Sequence, residues 1–416
     1  MRRRQESRPP DGSPRQWRFT PAVWRGSRQL SRRQVDLLLR FRSGSVVPGA
    51  ADRFVAMGLP AEIVDQTLNR VRSLEGWADV WTWTAQRFMG DARQRTVSGE
   101  SRPAAEARRL AALSYHAATT LVLRDLKKAR ALRSASVTLF AQAAPVVLPA
   151  VLRVDVTWRT RRLPGFLVRP VGDSQPPLLV VLNGATTAKE ELIGWADRFL
   201  DHGIGYLALD WPGTGDAPRM DTILDDTSDD LTDGLFHLAG SHGFDPGRIS
   251  LLGVGIGGAL AVQATAADRR IAACVAVSAP FDAARWIRSM HPLLSRQLVG
   301  ASEHDEGQLP VVERFALAEA AERLRAPLLV FGAGRDMVVP PGEAMRLASA
   351  VGDLATLVWY PNGHHALYDY VNSWTDDAAQ WLSEVLGVKT TAGSTRLESL
   401  ALTQRSEVVV QSDPTP

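Results

Sequence analysis

From about residue 151 onward the chain repeats one pattern: a short apolar run, a turn, then a helix-like stretch. A continuous apolar run of five or six residues is the mark of a strand buried on both faces. Such burial requires helices on each side of a parallel sheet. Residues 178–182 (Leu-Leu-Val-Val-Leu), 205–210, 249–253, 272–278, 328–332 and 356–360 are runs of this kind. Residues 190–202, 257–267 and 342–351 read as helices between them. Ahead of these, 153–158 alternates like a half-buried strand and 165–169 reads as its partner. The pattern predicts an α/β fold with a doubly wound, mostly parallel sheet, whose ligands sit at the carboxyl ends of the strands. This core is expected over residues 151–389.

Residues 31–150 follow a different rhythm. Val35, Leu38 and Leu39 recur at helical spacing, as do Ile63, Leu68 and Val71. Residues 104–141 are rich in Ala, Leu and Arg and contain neither Gly nor Pro, which suits long helices. A separate helical region is therefore expected. Trp77, Trp81 and Phe88 fall near one helical face. Two readings are open for them: helix–helix packing, or the wall of an aromatic-lined pocket shared with Trp211. Residues 1–30, rich in Arg, Pro, Ser and Gly, and the polar stretch 390–416 are expected to be a disordered arm and tail.

Composition removes several functional classes. With 416 residues, 45% of them hydrophobic, the chain can bury a large core, so disorder throughout is excluded. Cys274 is the only cysteine, so there is no disulfide framework. The longest apolar attempt, 137–152, is broken by Gln142, Pro145 and Pro149, so no membrane span is expected. Only four of 48 basic residues are lysines, and the net charge is +3. That bias matches GC-rich coding DNA better than an electrostatic footprint, so no nucleic-acid partner is expected. Arg2 to Arg4 are not followed by an apolar stretch, so no secretory signal is expected, and an Arg-rich transit peptide is the alternative to a cytoplasmic location.

Three strand ends carry the chemistry. Leu251-Leu252-Gly253-Val254-Gly255-Ile256-Gly257-Gly258 leaves an apolar run and opens an Ala-rich helix. This is the frame of a nucleophile elbow, G-x-S-x-G, with glycine at the central position. Gly253, Gly255 and Gly258 also match the spacing of a dinucleotide loop, but the next strand, ending near Ser278, lacks the acid that such a loop requires. Asp336 follows the run 328–331 on a Gly-Ala-Gly-Arg turn and can orient an imidazole or simply cap a turn. His364 and His365 follow the last strand, and adjacent side chains point in different directions, so at most one faces a given site. Elbow, then Asp, then His is the chain order of the α/β-hydrolases. Asn183-Gly184-Ala185 follows another strand, where one oxyanion-hole N–H arises. The donors would be Ala185 and Ile256. Asp210, in Asp210-Trp211-Pro212-Gly213-Thr214-Gly215, reads first as a residue that fixes its loop and second as a chemical group.

Residues 53–386 resemble the FrsA-like branch of the α/β-hydrolase superfamily, whose members include 2,6-dihydroxypseudooxynicotine hydrolase-like proteins. The resemblance is carried by Arg53-Phe54 through Gly58, Gly76-Trp77, Ala104 through Tyr115, Leu163-Pro164-Gly165, Asn183-Gly184 with Lys189-Glu190-Glu191, Asp210 with Pro212 to Gly215, and Asp336. It implies an α/β-hydrolase fold with an N-terminal helical cap lying over the strand ends as a lid. It also implies a small-molecule substrate, no cofactor, no metal and, often, a homodimer. The branch's catalytic histidine maps onto His365 rather than His364. Members carry serine where this chain has Gly255, so a covalent acyl-enzyme at this position is impossible. Thr186, Thr187 and Ser278 are the nearby hydroxyls. What remains is non-covalent acid–base chemistry by His365 and Asp336 in specialised, antibiotic-type metabolism: elimination, cyclisation, C–C cleavage or hydrolysis by a directly activated water. The second reading is a binding or scaffold protein on a catalytically dead fold. The Trp residues suggest an apolar or aromatic ligand.

Overall fold

The structure is a computed structural model that describes residues 50–122, 125–159, 161–212, 214–217, 227–283, 285–286 and 316–388. The expected arm and tail and the helix around Val35 to Leu39 lie outside the described residues.

Five helices open the described chain: α1 (Ala50–Ala56), α2 (Ala61–Leu68), α3 (Trp77–Val97), α4 (Ser101–Thr119) and α5 (Leu126–Val147). Local chemistry sets their limits. Gly58, at φ 99°, turns the chain out of α1 against Arg109, where a side chain would crowd the guanidinium. The Asp125 carboxylate caps α5 by accepting the N–H of Lys128 at 2.8 Å. The sequence left two readings for Trp77 and Trp81, and the structure places both in the interior of this helical region. Trp77 is 1% exposed and Trp81 fully buried, packed on each other and on Phe54 with centroids 4.8–6.1 Å apart. The indole N–H of Trp77 donates to Ala117 O.

The remaining elements are β1 (Leu152–Trp158), β2 (Arg161–Val168), β3 (Leu178–Leu182), α6 (Lys189–Leu192), a 3₁₀ turn (Ile193–Trp195), α7 (Ala196–Asp201), β4 (Gly205–Leu209), α8 (Thr227–Ser241), β5 (Ile249–Val254), α9 (Ile256–Ala267), β6 (Ala273–Val277), α10 (Ala318–Arg323), β7 (Leu328–Ala333), α11 (Gly342–Val351), β8 (Ala355–Tyr360) and α12 (Val371–Val385). Eight strands form one sheet in the order β1-β2-β4-β3-β5-β6-β7-β8. The β1–β2 and β2–β4 pairs are antiparallel and every other pair is parallel.

Strand periodicity divides the interior into two cores. Leu179, Val181, Leu252, Val254, Leu329 and Phe331 face one side, where they meet Phe54, Trp77, Trp195 and Trp374. Leu178, Val180, Leu251, Leu328 and Val330 face the other, where they meet α8 and α9. The helical region is thus joined to one face of the sheet through a continuous apolar core, with Phe140 of α5 on Phe166 of β2 at 5.3 Å. Several details differ from the sequence reading, helices α10 and α12 among them, which it did not name. The single helix expected over 190–202 is broken at Ile193–Trp195. Gly194 is a poor helix former, and the tighter turn sets Trp195 edge-on to Trp374 at 5.3 Å. Helix α8 was not foreseen. Its Leu231, Leu235 and Leu238 pack on the second core, and Gly234 lets it lie against the Thr157 carbonyl.

Candidate active site

The bend between β5 and α9 is shaped by what its glycines must avoid. A Cβ at Gly253 would collide with the backbone of Gly257, and one at Gly257 with the carbonyls of Asn183 and Leu182. At Gly258 it would meet the Ala279 methyl at 2.8 Å. These contacts account for the glycine spacing without a bound phosphate, the alternative noted for Gly253, Gly255 and Gly258. Gly255 differs. Its φ of 58° and ψ of −124° belong to a sharp strand-to-helix bend, fixed by its N–H donating to Val277 O at 2.8 Å. Among the described residues, a Cβ built there would meet only the His365 ring, at 3.7 Å from Nε2 and 3.8 Å from Cε1.

That ring is held from the opposite side. His365 Nδ1 lies 2.9 and 3.1 Å from the two Asp336 oxygens. A carboxylate accepts hydrogen bonds, so Nδ1 carries a proton and Nε2 is the nitrogen that faces position 255. Asp336 is nearly fully buried, and its Oδ1 accepts the N–H groups of Val338 and Val339 at 2.8 and 2.7 Å. Its loop is tied to the histidine loop by Gly334 N–H to Tyr360 O (2.8 Å) and Arg335 N–H to Gly363 O (2.9 Å). Ser278 Oγ accepts the N–H of Ala366 at 3.0 Å. Ser278, Ala366 and Leu367 all take positive φ, 47°, 61° and 52°. Three left-handed residues next to the imidazole store about 1–3 kcal/mol each, which the surrounding packing sustains. His364 turns to another acid, its N–H and Nδ1 both meeting Asp369.

The oxyanion candidates sit where the topology puts them. Ile256 is the first residue of α9, so its N–H has no intrahelical acceptor and lies at the positive end of the helix. Ala185 lies in the turn after β3, closed by Thr187 N–H to Gly184 O at 3.2 Å. Gly184 is adjacent to the end of β5: a Cβ there would lie 3.3 Å from Val254 O. Of the hydroxyls considered as substitutes, Ser278 is engaged with Ala366, Thr187 Oγ1 donates to Gly184 O, and Thr186 Oγ1 accepts from Arg53. The buried Trp211 ring donates its N–H to Asn183 O at 2.7 Å and so braces the same turn.

Sequence reasoning missed a buried ionic network beside this turn. Arg53 of α1 grips both oxygens of Glu191, at 2.5 and 3.0 Å. His116 Nε2 of α4 meets the same carboxylate at 2.5 Å. Arg133 of α5 meets Glu190 at 2.5 Å, and Lys189 bridges Glu190 (2.9 Å) and Asp210 (3.0 Å). Asp210 also accepts the Lys189 N–H, the Asn183 amide and the Asp216 N–H, so it fixes two loops. Burial alone would raise the Glu191 pKa, but Arg53 and His116 overcome it and hold it down at about 2. Glu190 is driven below the usual carboxylate range against the same burial, by Arg133 and Lys189. The signal in the sequence was three consecutive charges, Lys189-Glu190-Glu191, set between apolar stretches. Among the described residues no cluster of three His, Cys, Asp or Glu side chains could hold a metal. No described helix is long and apolar enough to cross a membrane.

Comparison with known proteins places this arrangement in context. Residues 200–389 match the prolyl oligopeptidase family. The chain is 23% identical over 313 residues to a 2,6-dihydropseudooxynicotine hydrolase of Paenarthrobacter nicotinovorans, covering 74% of this chain and 84% of that protein. It is 29% identical to the hydrolase acrC of Aspergillus aculeatus over 52% of this chain, and 30% identical to the thiohydrolase aneE of that fungus over 32%. It spans only about half of those two fungal relatives, 56% and 43%. Among solved structures, that of the 2,6-dihydroxy-pseudo-oxynicotine hydrolase superposes with a TM-score of 0.69 at 23% identity, over 80% of this chain and 95% of that one. AbyA5 superposes at 0.59 with 19% identity, over 78% and 90%. With the strand order above, these likenesses establish an α/β-hydrolase fold.

Proposed function

We propose that this α/β-hydrolase-fold protein is an enzyme of small-molecule, specialised metabolism that works without a covalent intermediate. His365, oriented by Asp336, moves a proton to or from a carbonyl-containing substrate. The N–H groups of Ala185 and Ile256 stabilise the enolate or oxyanion that develops. One observation carries this reading: among the described residues, the atoms around a Cβ at Gly255 belong to the His365 ring, the nearest 3.7 Å away. The base points at a space that a nucleophile's side chain would occupy, and here that space is free for a substrate atom or a water. The relatives, hydrolases and a thiohydrolase, support carbonyl chemistry in general.

Two outcomes of the same geometry are open to one site. A substrate C–H placed near Nε2 gives elimination, cyclisation or C–C cleavage through an enolate. A water there gives direct hydrolysis of a reactive acyl group. The test is turnover of a panel: carbonyl compounds with a β leaving group, 1,3-diketones and activated esters, in H₂O and D₂O. One class should be consumed by the native protein, with a roughly 10²–10⁴-fold loss in His365→Ala. Consumption that is indifferent to His365→Ala would overturn the acid–base role of His365, and no consumption of any class would leave a binding or scaffold role instead.

A further inference from the structure

We propose that Arg53, on a short helix of the helical region, is a positioning residue that fixes the turn carrying the Ala185 N–H. This rests on the reading of Ala185 as an oxyanion donor, but it concerns the order of the turn itself.

Within residues 184–187, beyond the Asn183 carbonyl braced by Trp211, three carbonyls accept hydrogen bonds from described residues. Gly184 O accepts from the Thr187 N–H and hydroxyl, at 3.2 and 3.1 Å. Thr187 O accepts from the Asn183 amide at 2.8 Å. Both partners lie within the turn or at its root. Thr186 O is held from outside, by Arg53 Nη2 at 2.7 Å, and Nη1 of the same guanidinium donates to Thr186 Oγ1 at 3.1 Å. Its Nε N–H and the second N–H of Nη2 grip Glu191 in α6, just beyond the turn. One planar group therefore clamps both ends of residues 186–191. Only a guanidinium has the fork of donors that this demands. The Arg53 side chain is nine-tenths buried, its bonds to Glu191 wholly so and those to Thr186 in part.

The helix that carries Arg53 also touches the other half of the site. Helix α1 packs on the segment His365–Tyr370. Its last residue, Ala56, accepts a hydrogen bond from Trp195 at 3.4 Å. A movement of α1 away from the sheet would release the Thr186 carbonyl and unpack the histidine loop together. The oxyanion turn is thus built in two pieces, one intrinsic to the sheet and one supplied by the helical region.

The test uses hydrogen exchange read by mass spectrometry on the full chain, so it requires no substrate. In Arg53→Met the amides of 184–188 should exchange at least about tenfold faster, while β5 and β6 keep their protection. Arg53→Lys, which keeps the charge beside Glu191 but loses the fork, should loosen 184–188 to an intermediate degree. It also serves if the methionine variant fails to fold. Unchanged exchange at 184–188 in a folded variant overturns the proposal, as does a rise spread evenly over the sheet. Turnover separates the two readings. Once a substrate is in hand, a kcat drop of roughly 10–100-fold with KM nearly unchanged is expected, below the 10²–10³ for losing a donor outright. Faster exchange with unaltered kcat would uphold the clamp and refute the oxyanion role of Ala185.

Discussion

Three of the four glycines at the β5–α9 bend are there because backbone or a packed methyl fills the space a Cβ would need; at Gly255, among the described residues, only a side chain, the His365 ring, stands within contact range. The difference is measurable. Gly255→Ala should cost only the strain of a positive φ, about 1–3 kcal/mol, and the protein should still fold. Gly257→Ala pushes a methyl into the Asn183 and Leu182 carbonyls and should be clearly worse. Urea midpoints rank the pair, and equal damage would contradict the open space at 255. Asp336→Asn keeps an oxygen for the Val338 and Val339 N–H groups but can turn an amide N–H toward His365 Nδ1. The ring would then present the wrong tautomer. In a serine-nucleophile triad this change costs about 10⁴ in kcat. A loss of that order with an unshifted melting temperature is expected here, and a large drop in stability instead would show that Asp336 acts mainly as a turn cap.

At the scale of elements, α1, α4 and α5 are bound to the loop after β3 by charges, not only by apolar packing. Glu191 is held from its ordinary 4.5 down to about 2. A carboxylate with a depressed folded-state pKa adds stability that is complete above its unfolded value and fades as pH falls toward the folded one. The junction should therefore hold at pH 7 and weaken between about pH 4.5 and pH 2, with Glu190 acting in the same direction. Urea midpoints at pH 7, 5 and 3.5 would follow it. Glu191→Gln should lower stability at pH 7, because Arg53 is left buried without its counter-charge, and should flatten the acid limb. An unchanged acid limb in that variant would place the acid sensitivity elsewhere.

For the whole molecule, what could be read in the sequence followed from local pattern. All-apolar runs such as 178–182 mark strands because both faces of the sheet are covered, and the bend at 253–258 shows itself because close backbone approach admits only glycine. The chain order of Gly255, Asp336 and His365 was visible for the same reason: each ends a strand, and strand ends gather at one edge of a parallel sheet. The ionic clamp was not visible. Arg53 and Glu191 are 138 residues apart, and the charge run Lys189-Glu190-Glu191 marks its own place in the chain but not its partner among so many arginines. The helix break at Ile193–Trp195 was lost because the packing of Trp195 on Trp374, far along the chain, leaves no local pattern. Trp77 and Trp81 read first as core and second as a pocket wall, since periodicity reports a buried face and not what covers it. The central claim, that His365 and Asp336 remain set to activate a group at position 255, can be tested without knowing the substrate. It requires intact-mass analysis after exposure to a fluorophosphonate, comparing the native protein, Gly255→Ser and Gly255→Ser/His365→Ala. One adduct per chain in the single variant, and none in the other two, is the expected result. A folded Gly255→Ser protein that stays unlabelled, or a double variant that labels as fast as the single one, would contradict it.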